Sequence, residues 1–116
     1  MNRGEVWLAQ VGRKRRPVLV LTRSEVLDVR ALVTVAEIST TIRGLTTEVA
    51  IDNVEIGLDR ASVINCDGIH TVAQSMLTGH VGTVADTTLG DVCTAIGHAL
   101  GCGAADGPVR AQRGVR

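Results

Sequence analysis

The stretch that most constrains this chain is RPVLVLTR, residues 16–23, where Val18 to Leu21 are apolar without alternation. A strand that shows apolar side chains to both faces must be covered on both sides, which places it in the interior of a sheet. Pro17 stands at its beginning, where a missing N–H is tolerated. Candidate neighbours surround it: GEVWLAQV (4–11), LVTVAEI (32–38), TEVAI (47–51), ASVINC (61–66), a short strand and turn within GIHTVAQSML (68–77), and HVGTV (80–84). All are short, rich in β-branched residues and separated by glycine or polar breaks. Ser24 caps a short helical turn or opens a loop in SEVLDVRA (24–31). STTIRGL is a loop broken by Gly44, and residues 52–59 read as irregular.

The period changes at Asp86. Leu89, Val92, Cys93, Ile96, Ala99 and Leu100 recur at the spacing of an amphipathic helix, with Asp86 as its N-cap and Gly101 as its C′ residue. The expected architecture is a mainly β domain over residues 1–102, an antiparallel sheet closed by one C-terminal helix. Residues 103–116, rich in Gly, Ala and Arg, have almost nothing to bury and are expected to be a disordered tail. The core has to be aliphatic, because 17 Val and 12 Thr stand against one Trp and no Phe or Tyr. No apolar run reaches the ~18–20 residues that span a membrane, and Arg3 and Glu5 disqualify the first residues as a secretion signal. Three cysteines, an odd number without CxxC spacing, suit a reducing cytoplasm.

Charge is zero overall yet unevenly placed. Residues 1–44 carry eight basic and four acidic groups, whereas residues 45–102 carry one basic and seven acidic. Between Glu5 and Glu25 there are five cations and no anion, a local positive field that total charge hides. An anionic partner near residues 13–23 follows as an expectation.

Few residues suit chemistry. Cys66, Asp67 and His70 make half a zinc set at best, and His80 and His98 supply no second pair, so no metal site is expected. Cys93, on the apolar face of the helix, and Cys66, at a strand end, are expected to pack as small hydrophobes. Arg16 and the hydroxyls of Ser39, Thr40 and Thr41 remain. Eleven of the twelve cations are Arg, whose planar fork suits phosphate. Antiparallel pairing of strands 16–23 and 32–38 would bring Arg16 to the hydroxyl cluster, a phosphate-shaped rim. The alternatives are a solvated hairpin turn for the basic run and a Ser/Thr turn bonding its own backbone.

Taken together, RGEVW, RRPVLV, S-x-x-I-R-x-L-x-T-E-V, SV-(x)5-I-x-T-V and the closing helix, in that order over residues 3–102, resemble the MazF/PemK/Kid family of toxin endoribonucleases. The resemblance implies a strongly twisted antiparallel sheet with SH3-like barrel character. It also implies a homodimer that cuts single-stranded RNA without metal or other cofactor, and a cognate antitoxin peptide, acidic in character. The family's catalytic arginine falls on Arg16 and its catalytic hydroxyl on Ser39, or on Thr40 if the register slips by one. Arg13, Lys14, Arg15, Thr41, Arg43 and His70 are the implied RNA contacts. In the family's glutamine-isoleucine-arginine-threonine motif this chain reads Gly68-Ile69-His70-Thr71, and its first loop lacks the carboxylate some members carry there. A CcdB-like toxin that binds gyrase, or an inactive antitoxin-binding relative, would share the fold. The former depends on a C-terminal Trp that is missing here.

Overall fold

The computed structural model describes residues 1–102, so the expectation of a disordered tail at 103–116 lies outside the described residues. Six strands form one sheet: β1 (Glu5–Val11), β2 (Lys14–Val20), β3 (Leu32–Ser39), β4 (Glu48–Ile51), β5 (Ser62–Ala73) and β6 (Leu77–Thr83). Their spatial order is β4-β5-β3-β2-β1-β6, and every adjacent pair is antiparallel. The sheet is open, with β4 and β6 at its ends, rather than closed into a barrel. Two helices accompany it, α1 (Asn53–Ile56) and α2 (Asp86–Ala99). Among the described residues no helix is long and apolar enough to cross a membrane.

The sheet separates two cores, which explains the unbroken apolar run. Leu19 packs with Val6, Ala36, Ile38 and Ile64 against Val92 and Ala95 of α2. Val18 and Val20 face the other way, onto Ala9, Leu27, Val33, Val35 and Leu77. Leu19 and Val20 are both fully buried, and each such side chain contributes about 1.5–3 kcal/mol relative to exposure. β2 is therefore interior on both faces.

Several local expectations are corrected. β2 starts at Lys14, inside the basic run, because Gly12 at φ +60° lets the chain reverse over Gly12–Arg13 alone. Pro17 then stands within the strand opposite Leu8, and the ladder to β3 begins just after it, at Val18. Residues 52–59 are not wholly irregular: the Asp52 carboxylate accepts from the Glu55 amide and caps α1. Ser24 caps nothing; its hydroxyl accepts from the Arg3 amide at 2.9 Å, and the 3-10 turn Ser24–Val26 follows Arg23. Asp86 is the first residue of α2 rather than its cap, while Gly101 follows the helix at φ +72° as expected. The buried stripe of α2 runs through Val92 and Ala95, leaving Cys93 and Leu100 exposed. Cys93 does not pack in the core: it accepts at 3.0 Å from Nη2 of Arg3.

The largest difference is β5, one continuous strand where two were expected. Ala36 pairs with Ile69, yet the next residue, Glu37, pairs with Asn65, so Cys66, Asp67 and Gly68 bulge out without partners on β3. The bulge is tied down from β4's side. The Cys66 amide donates to the Thr47 carbonyl at 2.9 Å, and the Thr47 hydroxyl donates to the Asp67 carboxylate at 2.6 Å.

Candidate active site

Alternation along the strands sets the site on the face opposite α2. On β2, Lys14 and Arg16 continue the line of Val18 and Val20; on β3, Glu37 continues Val33 and Val35; on β5, His70 precedes Val72 on the same side. Where the apolar floor ends, the charged side chains stand. They enclose a cleft of about 640 Å³, with Lys14, Arg16, Glu37, His70 and Thr71 around a floor that includes Ala9, Val18, Val35 and Val72.

Glu37 Oε2 and His70 Nε2 form a hydrogen bond, with both side chains about half exposed. A pair this exposed contributes about 0–1 kcal/mol to stability. Its neighbour Gly68 makes room for it: a Cβ there would stand 3.0 Å from Glu37 Cδ and 3.1 Å from Asn65 Nδ2. The β5 bulge thus carries Gly68 under the carboxylate and His70 beside it.

The structure brings together only part of the set implied by the sequence. Lys14, Arg16 and His70 share the cleft; Ser39, Thr40 and Thr41 do not line it. Ser39, half-buried, ends β3, and continuing the register two residues past Val18–Glu37 sets it opposite Arg16. Its Oγ accepts from the Thr41 amide at 3.0 Å, which leaves the hydroxyl proton free to donate. Thr40, Thr41 and Arg43 are exposed on the loop that follows. The Glu48 carboxylate gathers that loop, accepting from the amides of Arg43, Gly44 and Leu45 at 3.0, 2.9 and 3.2 Å. Arg13 lies in the hairpin turn. Arg15 projects to the other face, where its Nη2 would stand 2.8 Å from a Cβ on Gly79.

Cys66 is buried, and its thiol is pushed up to about 11, chiefly by burial and secondarily by the neighbouring charge of Asp67. At neutral pH it is not a thiolate nucleophile. Among the described residues no three His, Cys, Asp or Glu side chains are grouped as metal ligands would be. The residue that sequence reading missed is Glu37. Its signal was present: it is the carboxylate in the inward-facing series Val33, Val35, Glu37.

The protein is a small open antiparallel sheet with a helix behind it and, in front, a cleft that sets guanidinium, ammonium, imidazole and carboxylate groups around an apolar floor. The solved structure "Mycobacterium tuberculosis toxin MazF-mt6" superposes with a TM-score of 0.78 at 39% identity, covering 84% of this chain and 96% of that one. "Endoribonuclease in complex with its cognate antitoxin from Mycobacterial species" superposes at 0.77 with 28% identity, covering 87% and 95%. In sequence, "Endoribonuclease MazF3" of Mycobacterium tuberculosis is 43% identical over 87 residues, 75% of this chain and 84% of that protein. The family model described as PemK-like, MazF-like toxin of type II toxin–antitoxin system matches residues 2–100. This chain belongs to that family.

Proposed function

We propose that this protein is the toxin of a type II toxin–antitoxin pair and that it cuts single-stranded RNA at specific sequences, without metal, in the cytoplasm. The observation that carries the reading is the placement of Arg16 and Lys14 at the lip of an open cleft, in a chain 43% identical to a protein named as an endoribonuclease. A homodimer and an acidic antitoxin peptide are part of the proposal; a structural neighbour is described as bound to its cognate antitoxin.

RNA supplies its own nucleophile. The 2′-oxygen attacks the adjacent phosphorus, the bond to the 5′-oxygen breaks, and a 2′,3′-cyclic phosphate and a 5′-hydroxyl result. Negative charge grows on the non-bridging oxygens, and a fixed guanidinium is suited to neutralise it. Arg16 has that role. Ser39, whose lone pair is taken by the Thr41 amide, donates its proton to a phosphate oxygen or holds the 2′-hydroxyl, with Thr40 as the adjacent alternative. Arg13, Thr41 and Arg43, outside the cleft, guide the incoming backbone, whereas Arg15, on the other face, is left out of this path.

Incubation of the purified protein with a long RNA in the presence of a chelator is expected to yield fragments ending in 2′,3′-cyclic phosphate and 5′-hydroxyl. Intact RNA would overturn the reading. Ser39→Ala is expected to lose about 10- to 100-fold in rate, the scale of a hydrogen bond of about 1.5–3 kcal/mol to a charged group; loss on Thr40→Ala alone would move the role by one residue. Four cations (Arg13, Lys14, Arg16 and Arg43) neutralising single-stranded phosphates would give a slope of log affinity on log salt of about −2.8. A slope near zero in a binding titration would remove these residues from the RNA path.

A further inference from the structure

Cleavage by this chemistry needs a proton for the departing 5′-oxygen, and a guanidinium is a poor source because it keeps its proton far above neutral pH. We propose that His70 is the acid that supplies this proton and that Glu37 is the positioning residue that orients it; the proposal rests on the ribonuclease reading above. Three observations support the assignment. His70 lines the same cleft as Arg16. Its Nε2 is engaged by Glu37 Oε2, so Nδ1 is the ring nitrogen left for a ligand in the cleft. Glu37 in turn lies against Gly68, where any side chain would crowd its carboxylate. A half-exposed pair adds little to stability, so its value lies in how it holds the ring rather than in the fold.

The step balances as follows. The 2′-oxygen forms its bond to phosphorus and releases its proton to water. The phosphorus–5′-oxygen bond breaks with its electron pair on oxygen, which takes the proton from Nδ1 of the imidazolium. The neutral ring, still donating Nε2–H to Glu37, recovers a proton from solvent. The charged groups facing the ring across the cleft are Lys14 and Arg16 from β2 and Glu37 from β3. Ala9 of β1 and Met76, of the 3-10 turn before β6, face it without charge. Glu37 is therefore the one anion among these cleft groups, and it is the group that holds Nε2. Imidazole, unlike guanidinium, exchanges its proton near neutrality, the property an acid in turnover needs.

The test compares wild type, His70→Ala and Glu37→Gln on one RNA oligonucleotide and on its analogue with sulfur replacing the 5′-bridging oxygen. A thiolate leaves without protonation. His70→Ala is expected to slow cleavage of the oxygen substrate by ~10²–10³-fold and to cleave the sulfur substrate at close to the wild-type rate. Glu37→Gln is expected to slow the oxygen substrate by less than His70→Ala does and to cleave the sulfur substrate at close to the wild-type rate, because an imidazole without its anchor no longer holds Nδ1 toward the leaving oxygen. Equal slowing of both substrates by His70→Ala, or no slowing of either, overturns the acid assignment; Glu37→Gln at the wild-type rate on the oxygen substrate, or equally slow on both, overturns the role of Glu37. If wild type cuts the RNA yet sulfur fails to rescue His70→Ala, the acid assignment alone falls. If wild type cuts neither substrate, the ribonuclease reading falls and takes this assignment with it.

Discussion

Arg16→Ala is expected to slow RNA cleavage by ~10²–10³-fold, the usual cost of removing one preorganised transition-state donor, while leaving the melting temperature within a few degrees of wild type. The two halves of the prediction have separate causes. Arg16 is exposed, and the one ion pair among the described residues is Glu37–His70, so no carboxylate holds the guanidinium. Surface side chains of that kind change stability by about 0.5 kcal/mol or less. Its backbone, in contrast, is fixed by pairing with Ala9 and by the ring of Pro17. The root of the side chain thus stands at a defined point at low cost to the fold. Arg16→Lys should recover only part of the rate, because an ammonium cannot make the paired, planar contact of a guanidinium. Single-turnover cleavage beside a thermal melt checks both halves; equal rates for Arg16→Ala and wild type would dismiss the residue from the chemistry.

The second large effect concerns the fold. Gly82 of β6 lies so close to α1 that an added Cβ would stand 2.2 Å from the Ile56 carbonyl oxygen and 3.1 Å from its carbon. These are backbone atoms, which cannot swing aside as a side-chain tip would. Gly82 pairs with Val6, so the displaced strand would pull on the β1 ladder and on the core beneath α2. Gly82→Ala is expected to cost about 3 kcal/mol, the upper end for overpacking, and to lower Tm by roughly 12–24 °C. Gly90→Ala is the internal control, since nothing lies within 4 Å of a Cβ there. Matching melts for the two variants would show that the helix–strand approach is looser than described.

Much of this arrangement is legible in the sequence, and the parts that are not share a cause. The interior strand could be read from Val18–Leu21 alone, since an apolar run without alternation has one environment that satisfies it. The terminal helix announced itself by period, although period could not decide which edge of the stripe was dry, and Cys93 fell on the wet side. β5 was read as two pieces because Asp67 and Gly68 interrupt its pattern. A bulge is a property of pairing, and β3, its partner, lies some thirty residues away in the chain. The same bulge explains why Glu37 was missed. Its phase on β3 is visible in LVTVAEIS, but its meeting with His70 depends on three residues of β5 leaving the ladder between Asn65 and Ile69. Arg16 and Ser39, by contrast, could be set opposite one another from antiparallel geometry. The cleft itself could not be foreseen, so the hydroxyl loop was expected inside it and stands beside it.

The sheet that divides the two cores acts as a partition wall. The helix side holds most of the closely fitted packing, including Leu19, Ile64 and Val92, whereas the opposite side ends in half-exposed charges that little else leans on. The exposed charged residues at that rim, unlike the buried valines below them, can be exchanged without disturbing the helix-side core. Exchanges at the rim are therefore expected to alter what the cleft accepts while the chassis behind it keeps its stability.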